Sequence, residues 1–241
     1  MKHLFASSVN GIAGLLLSAM LWTACSEEKG VEEEDHLLPY SRYLLTGYNS
    51  YVEIPHRETL NPAGEITLEG WVRLDNSAAT NMLVIKKQAY KQEGYSVDMR
   101  ERDGEILLYS YMGYPSSERY GGSIPIQAWV HWAVTSDGNQ RRHYINGKLA
   151  GEFAENGGIV DASPAALSLA KHVAANTGLA EFRLWDIVRT QPEIRRTMYE
   201  NIDEPHPGLV AVWPLHENAR EHIGGHHGVL HHNPRFRRWE E

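Results

Sequence analysis

Trp129 to Phe153 reads WVHWAVTSDGNQRRHYINGKLAGEF, three consecutive strands joined by two tight turns. From Trp129 to Ser136 the side chains alternate: Val130, Trp132 and Val134 share one face, and His131, Ala133 and Thr135 the other. Period two marks a strand with two unlike faces. Asp137-Gly138-Asn139-Gln140 is a turn, because Gly and Asn tolerate positive φ. Arg141 to Ile145 returns, and Asn146-Gly147 is a strong hairpin signal suited to a type I′ turn. Lys148 to Phe153 completes an antiparallel meander whose register is set locally, the expected nucleus of an all-β domain.

The same pattern extends in both directions. Tyr43–Thr46 and Tyr51–Ile54 read as short strands around the polar turn Gly47-Tyr48-Asn49-Ser50. Ile66–Leu74 alternates, with Ile66, Leu68, Gly70, Val72 and Leu74 on one face and Thr67, Glu69, Trp71 and Arg73 on the other. Met82–Lys87 follows, then Tyr95–Arg100 and Glu105–Tyr111 across an Asp103-Gly104 turn. Residues 114–125 and 155–164 read as loops. Leu167–Ala170, Leu179–Ile187 and Leu209–Pro214 are further strands. One short helix is expected near Gln191–Tyr199: Thr190-Gln191-Pro192-Glu193 is a capping box with Pro in the first turn, and Ile194 and Met198 fall on one face. Many short strands, Gly turns and a single helix predict two antiparallel sheets packed face to face.

Several of these stretches resemble one family in the expected order. YVEIP at 51–55, ITLEGWV at 66–72, VIKK at 84–87, WVHWAVT at 129–135, YINGKL at 144–149, AEFRLWD at 180–186, RTQPEI at 189–194 and GGHHGVL at 224–230 are similar to the laminin-G-like jelly rolls of the concanavalin A-like lectin and glucanase superfamily. The resemblance runs from about Tyr51 to Leu230. It implies an all-β, two-sheet antiparallel jelly-roll sandwich, and a function in carbohydrate binding, glycan hydrolysis or adhesion.

The N-terminus carries an address instead of fold. Residues 12–22 form an apolar run too short for a bilayer, which needs ~20 apolar residues, and suited to the core of a secretory signal. It ends at Leu21-Trp22-Thr23-Ala24-Cys25, which resembles a bacterial lipobox. Cys25 is the chain's single cysteine, so an intrachain disulfide is ruled out and lipidation gives the thiol a purpose. Residues 1–24 are therefore expected to be a lipoprotein signal peptide, 25–38 a lipidated Cys and acidic flexible linker, and 39–241 the jelly-roll domain. The linker holds Glu27, Glu28, Glu32, Glu33, Glu34 and Asp35 against Lys29 and has too little apolar content to fold. It resembles the acidic signals after the lipidated cysteine of Bacteroidetes lipoproteins, which implies anchoring to the outer membrane at the cell surface. With 23 basic and 31 acidic residues the net charge is 23 − 31 = −8, giving no electrostatic support to nucleic-acid binding.

A retaining glycosidase needs two carboxylates ~5–5.5 Å apart, on a strand two residues apart so that both point one way. No such pair is found; Glu65 and Glu69, flanking Thr67, come nearest. No nucleophile-elbow motif marks a serine hydrolase. His222, His226, His227, His231 and His232 cluster without a standard zinc spacing, and the family's ordinary ending already contains His-His-Gly, so no metal site is assigned. The resemblance implies calcium as a possible ion, none being required. Two positions depart from the family: Ala180 and Glu221 stand where relatives often have Asp. Asn49, Asp98 and Asp161 are scattered oxygen donors. Binding remains. Tyr109, Tyr111, Tyr114 and Tyr120 border a Gly-Ser loop and offer aromatic surface to a sugar or a protein, with core packing as the competing role for Tyr109 and Tyr111. Arg119, with Arg100 and Glu118, would orient a ligand. The sequence thus predicts a non-catalytic cell-surface binding lipoprotein whose partner is a glycan or an extracellular protein, with a divergent glycoside hydrolase or an accessory or adhesin subunit as alternatives.

Overall fold

The alternation read from the sequence resolves into two antiparallel sheets. The computed structural model describes residues 41–75, 80–88, 93–113, 118–157, 162–174 and 176–238. In chain order the strands are β1 (Arg42–Thr46), β2 (Tyr51–Ile54), β3 (Ile66–Leu74), β4 (Thr80–Lys86), β5 (Tyr95–Arg102), β6 (Glu105–Met112), β7 (Arg119–Ser123), β8 (Trp129–Ser136), β9 (Gln140–Ile145), β10 (Lys148–Ala154), β11 (Leu167–His172) and β12 (Thr177–Trp185). The helix α1 (Gln191–Thr197) then precedes β13 (Leu209–Trp213), β14 (Val229–His231) and β15 (Arg235–Arg238). One sheet runs β10-β9-β8-β3-β12-β1-β15, with β13 also on β12; the other runs β14-β2-β11-β4-β5-β6-β7.

The meander forms as its sequence dictates. Trp132 pairs with Ile145 and Lys148 with Ile145 across the Asn146-Gly147 turn. Both turn residues have positive φ, 47° and 66°. Asn146 also bonds back to His131, its Oδ1 accepting from the His131 amide at 2.9 Å. Val130, Trp132 and Val134 enter the inter-sheet core with Leu68, Val97, Leu108, Leu169, Phe182 and Trp213. The structure adds pairings that the order of segments does not show and corrects one loop. β1 and β2 are not a hairpin: β1 pairs with β12 and β15 in one sheet, and β2 with β11 and β14 in the other. The stretch read as a loop at 114–125 contains strand β7, whose Gly-rich sequence hid its pairing with β6. The chain end holds two edge strands, β14 and β15, too short and polar to show a period.

The residues that alternate out of the core on β3, β8 and β12 are covered by α1. Glu69 has no exposed surface. Its Oε1 accepts from Arg189 Nη1 at 2.5 Å and Trp185 Nε1 at 2.9 Å, with Arg183 at 3.5 Å, and His131 lies 3.7 Å from Oε2. The arginines then reach the helix: Arg183 donates to the carbonyls of Thr197 and Glu200, and Arg189 to the Glu193 carbonyl and Thr197 Oγ1. Trp71 Nε1 donates to the Met198 carbonyl at 2.9 Å. The carbonyls a helix leaves unpaired at its C-terminus are thus met by side chains anchored on Glu69. At the N-terminus Glu193 accepts from the Thr190 amide at 2.7 Å, within the expected capping box.

Burial would raise the Glu69 pKa, but Arg183, Arg189 and His131 outweigh it and hold the carboxyl below its ordinary range. Glu69→Gln takes the carboxylate from Arg189 and leaves Arg183 with Glu181 at 2.9 Å, and a loss of about 3 kcal/mol in urea unfolding is expected; a loss under about 1 kcal/mol would show that the cluster is not under electrostatic tension. Burial also pushes His131 down to about 4 and His143 down to about 3. Both are neutral in the fold, while the unfolded chain protonates them near 6.5. The unfolded state therefore binds more protons in this interval, and stability is lost as pH falls from about 6.5 toward 4. Glu69, with its lowered pKa, adds a further loss below about 4.5 as it protonates. Urea midpoints should decline across the first interval, and His143→Gln should flatten that decline; a flat wild-type profile would contradict it.

Candidate functional site

The outer face of the seven-stranded sheet carries no helix among the described residues, and its composition is unusual for a face turned from the core. On β5, Tyr95, Val97 and Met99 point inward. Alternation sends Ser96, Asp98, Arg100 and Arg102 outward. On β6, Ile106, Leu108 and Met112 are core, so Leu107, Tyr109 and Tyr111 point outward. Register places Asp98 opposite Tyr109, and Tyr109 opposite Tyr120 of β7. Ser96 stands opposite Tyr111 in the next row. The Tyr109 and Tyr120 rings meet edge to face at 4.8 Å. The Arg100 guanidinium lies 3.6 Å from the Tyr109 ring centre, and Lys87 Nζ 4.7 Å from that of Tyr111.

Asp98 is the centre of this face. It is fully buried. Its Oδ2 accepts from Arg100 Nη2 at 2.7 Å. Its Oδ1 has no hydrogen-bond partner, and neither has Arg100 Nε. Burial pushes the Asp98 carboxyl above its ordinary range, against the pull of Arg100 and Lys87. Lys87 donates to Ser96 Oγ at 3.0 Å. Burial, with Glu118 facing the hydroxyl, pushes the Tyr109 phenol well up, so it stays a neutral hydroxyl. An unsatisfied buried acceptor beside an unsatisfied donor, among aromatic rings, is an unusual feature of a native structure. Both atoms lack accessible surface, as does Glu69 Oε2 in the framework, which is likewise without a hydrogen-bond partner.

The residues singled out from the sequence divide. Tyr109, Tyr111 and Tyr120 come together as expected, but Tyr109 and Tyr111 are 0% and 1% exposed and have their ring faces covered by cations. They support the surface more than they present it. Tyr114 lies outside the described residues. Arg119 points the other way, because it sits opposite the core-facing Ser110. It pairs with Glu155 at 3.0 Å and donates to the Ala154 carbonyl at 3.0 Å. Glu155 also meets the buried Arg141 at 3.2 Å. Arg119 therefore clasps β7 to β10, where a Cβ on Gly121 would come within 3.2 Å of the Gly151 Cα. Lys87, Asp98, Arg100 and Arg102 replace it as the polar groups of this face. The polar parity of Ser96, Asp98, Arg100 and Arg102 along one strand was the signal available for them.

The catalytic and metal candidates separate in space. Glu69 is sealed under α1, and Glu65 accepts from the Val188 amide at 3.1 Å, so the nearest acidic pair is structural. Glu221 accepts from the amides of Val212, Ile223 and His226, which ties down the loop before β14. Ala180 is buried with Tyr43, Trp71 and Met198. Asp98 is engaged by Arg100, Asn49 sits in an exposed turn, and Asp161 lies outside the described residues. Among the described residues, Asn49, Asp98, Ala180 and Glu221 do not converge on one site. The histidines disperse: His222 bonds Asp203, His226 bonds Thr59, and His231 stacks on Tyr51 at 4.5 Å. Among the described residues no group of three or more His, Cys, Asp or Glu is placed to hold a metal ion.

Two antiparallel sheets with this strand order and one helix define a lectin-like jelly roll. The chain belongs to the concanavalin A-like lectin/glucanases superfamily, whose laminin G-type model matches residues 46–195. No curated protein sequence matches it. Among solved structures it is similar to a proposed carbohydrate-binding protein from Bacteroides ovatus, with TM-score 0.67 and 14% identity over 84% of this chain; the chain spans 61% of that protein. It is similar to the heptameric SAP-like pentraxin of Limulus polyphemus, with TM-score 0.61 and 13% identity over 84% of this chain and 97% of that one. It also resembles domain 4 of an extracellular arabinanase from Geobacillus stearothermophilus, solved with arabinotriose, with TM-score 0.52 and 16% identity over 65% of this chain and 76% of that one. At these identities the likeness is one of fold.

Because Asp98 already has one oxygen unpaired, Asp98→Asn is expected to cost about 1 kcal/mol or less. Arg100→Gln leaves the buried carboxylate without its cation and should cost about 2 kcal/mol, allowing for the partial exposure of Arg100. Urea unfolding of both variants checks the order; the reverse order would mean that Asp98 is fully satisfied in solution.

Proposed function

We propose that this protein is a non-catalytic glycan-binding module displayed on the cell surface. One observation carries the proposal. On the outer face of the seven-stranded sheet, Asp98 Oδ1 and Arg100 Nε are buried without partners beside Tyr109. Sugar hydroxyls donate and accept at once, which is what this pair of atoms lacks. The fold supports the same reading, since the similar Bacteroides ovatus protein is a proposed carbohydrate binder and the arabinanase domain was solved with arabinotriose. The absence of catalysis rests on Glu69 and Glu65, the nearest acidic pair, being tied into the framework.

Display is proposed from the sequence, as a lipid on Cys25 followed by the acidic linker to Asp35. The anchor would hold the domain at the outer membrane while the linker lets it reach its ligand. Expressed in its native cell, the protein should partition into the detergent phase of Triton X-114, and Cys25→Ala should move it to the aqueous phase. Detergent partitioning unchanged by the substitution would remove the lipid anchor.

The binding role is tested with a glycan array followed by isothermal titration. Asp98→Asn and Tyr120→Ala should each weaken the best ligand at least tenfold, about 1.4 kcal/mol, with melting temperatures close to wild type. The purified protein should release no reducing sugar from that ligand. Folded protein that binds nothing on the array would overturn the glycan reading, and steady sugar release would overturn the non-catalytic one.

A further inference from the structure

The aromatic rings of this face are already occupied. Lys171 lies over Tyr51 at 5.3 Å, Lys87 over Tyr111 at 4.7 Å, Arg100 over Tyr109 at 3.6 Å and Arg102 over Tyr120 at 5.1 Å. Each distance lies within the ~6 Å range of a cation–π contact. The pairs extend across the outer face from β2 to β7, in a chain whose net charge is −8. The acids near these cations are Asp98, buried against Arg100, Glu118 beside Tyr109, Lys87 and Arg100, Asp103 at 3.7 Å from Arg102, Glu105 opposite Arg102, and Glu53 beside His231 at 3.8 Å.

We infer that the glycan bound here is anionic: a sugar carrying a carboxylate or sulfate next to a free hydroxyl. This rests on the glycan-binding reading above and narrows it to a substrate class. A neutral sugar stacks on a bare ring face, whereas these faces are covered by guanidinium and ammonium groups. An arriving ligand therefore meets cations held in place by the rings beneath them. A planar guanidinium matches a carboxylate or sulfate in two-point geometry, and Arg102 is exposed to offer it, while the Arg100 Nε beside Asp98 is buried. Asp98 Oδ1 requires a donor, which a neighbouring sugar hydroxyl supplies. A nucleic-acid backbone offers repeated anions and no matching hydroxyl pattern, and the overall negative charge of the chain disfavours it.

Affinity electrophoresis of the full mature protein tests this, with polygalacturonate as the carboxylate probe, chondroitin sulfate as the sulfated probe, dextran and arabinan as neutral probes, and single-stranded DNA. Retardation is expected with one or both anionic glycans, and which one distinguishes carboxylate from sulfate recognition. Lys87→Met and Arg102→Gln should each weaken it at least tenfold with unchanged melting curves, and raising NaCl from about 50 to about 300 mM should weaken it as well. Binding to neutral glycans alone overturns the anionic assignment and leaves the glycan reading intact. Binding to no glycan overturns both. Equal retardation by DNA overturns the assignment in favour of a general polyanion surface, as does anionic-glycan binding that neither variant changes.

Discussion

The buried carboxylate of Glu69 is the contact on which the rest of the sandwich depends. It holds Arg183 and Arg189 beneath α1, and those arginines satisfy the carbonyls at the end of the helix. Without an anion at that point Arg189 would be a buried charge without its carboxylate and Arg183 would keep only Glu181, and the helix would lose part of its seat. The same cluster fixes β12 against β3, and with it the junction between the meander and the rest of the eight-stranded sheet.

That arrangement divides the molecule's two outer faces. One is closed by α1 and by Trp71, Tyr43 and Met198 packed around it. The other is left to Lys87, Asp98, Arg100 and the tyrosines. The framework charges compensate one another: Glu69 meets Arg189 and Arg183, Glu181 meets Arg183, and Glu155 meets Arg141 and Arg119. Strand parity separates scaffold from site: the framework ions lie under α1 or between β7 and β10, whereas Lys87, Asp98 and Arg100 lie on the face that no described helix covers. Arg119 illustrates the point: its chemistry suits ligand binding, but its parity on β7 commits it to Glu155 and the edge of β10.

Much of the fold was legible because its signals are local. The Asn146-Gly147 turn, the alternation of Ile66–Leu74 and the Pro192 helix start each follow from neighbours in sequence. Pairing between distant segments was not. The Gly47–Ser50 turn joins two strands adjacent in sequence, yet they enter opposite sheets, because β1 and β2 find their partners more than a hundred residues away. β7 was hidden by Gly121 and Gly122, which are there for close packing against β9 and β10. The site was half legible. Tyr109, Tyr111 and Tyr120 are conspicuous in sequence, but the cations that cover them come from Lys87, Arg100 and Arg102, and only strand register brings these over the rings.

The central claim is that ligands meet the outer face of the seven-stranded sheet. The most direct measurement is a heteronuclear NMR titration of the labelled protein with its best-binding glycan. Amide shifts confined to Ser96–Arg102, Leu107–Tyr111 and Tyr120, with those of α1 and of the loop around Glu221 unmoved, are the predicted result. Shifts centred on α1 or on that loop, with Asp98 and Arg100 unaffected, would contradict it.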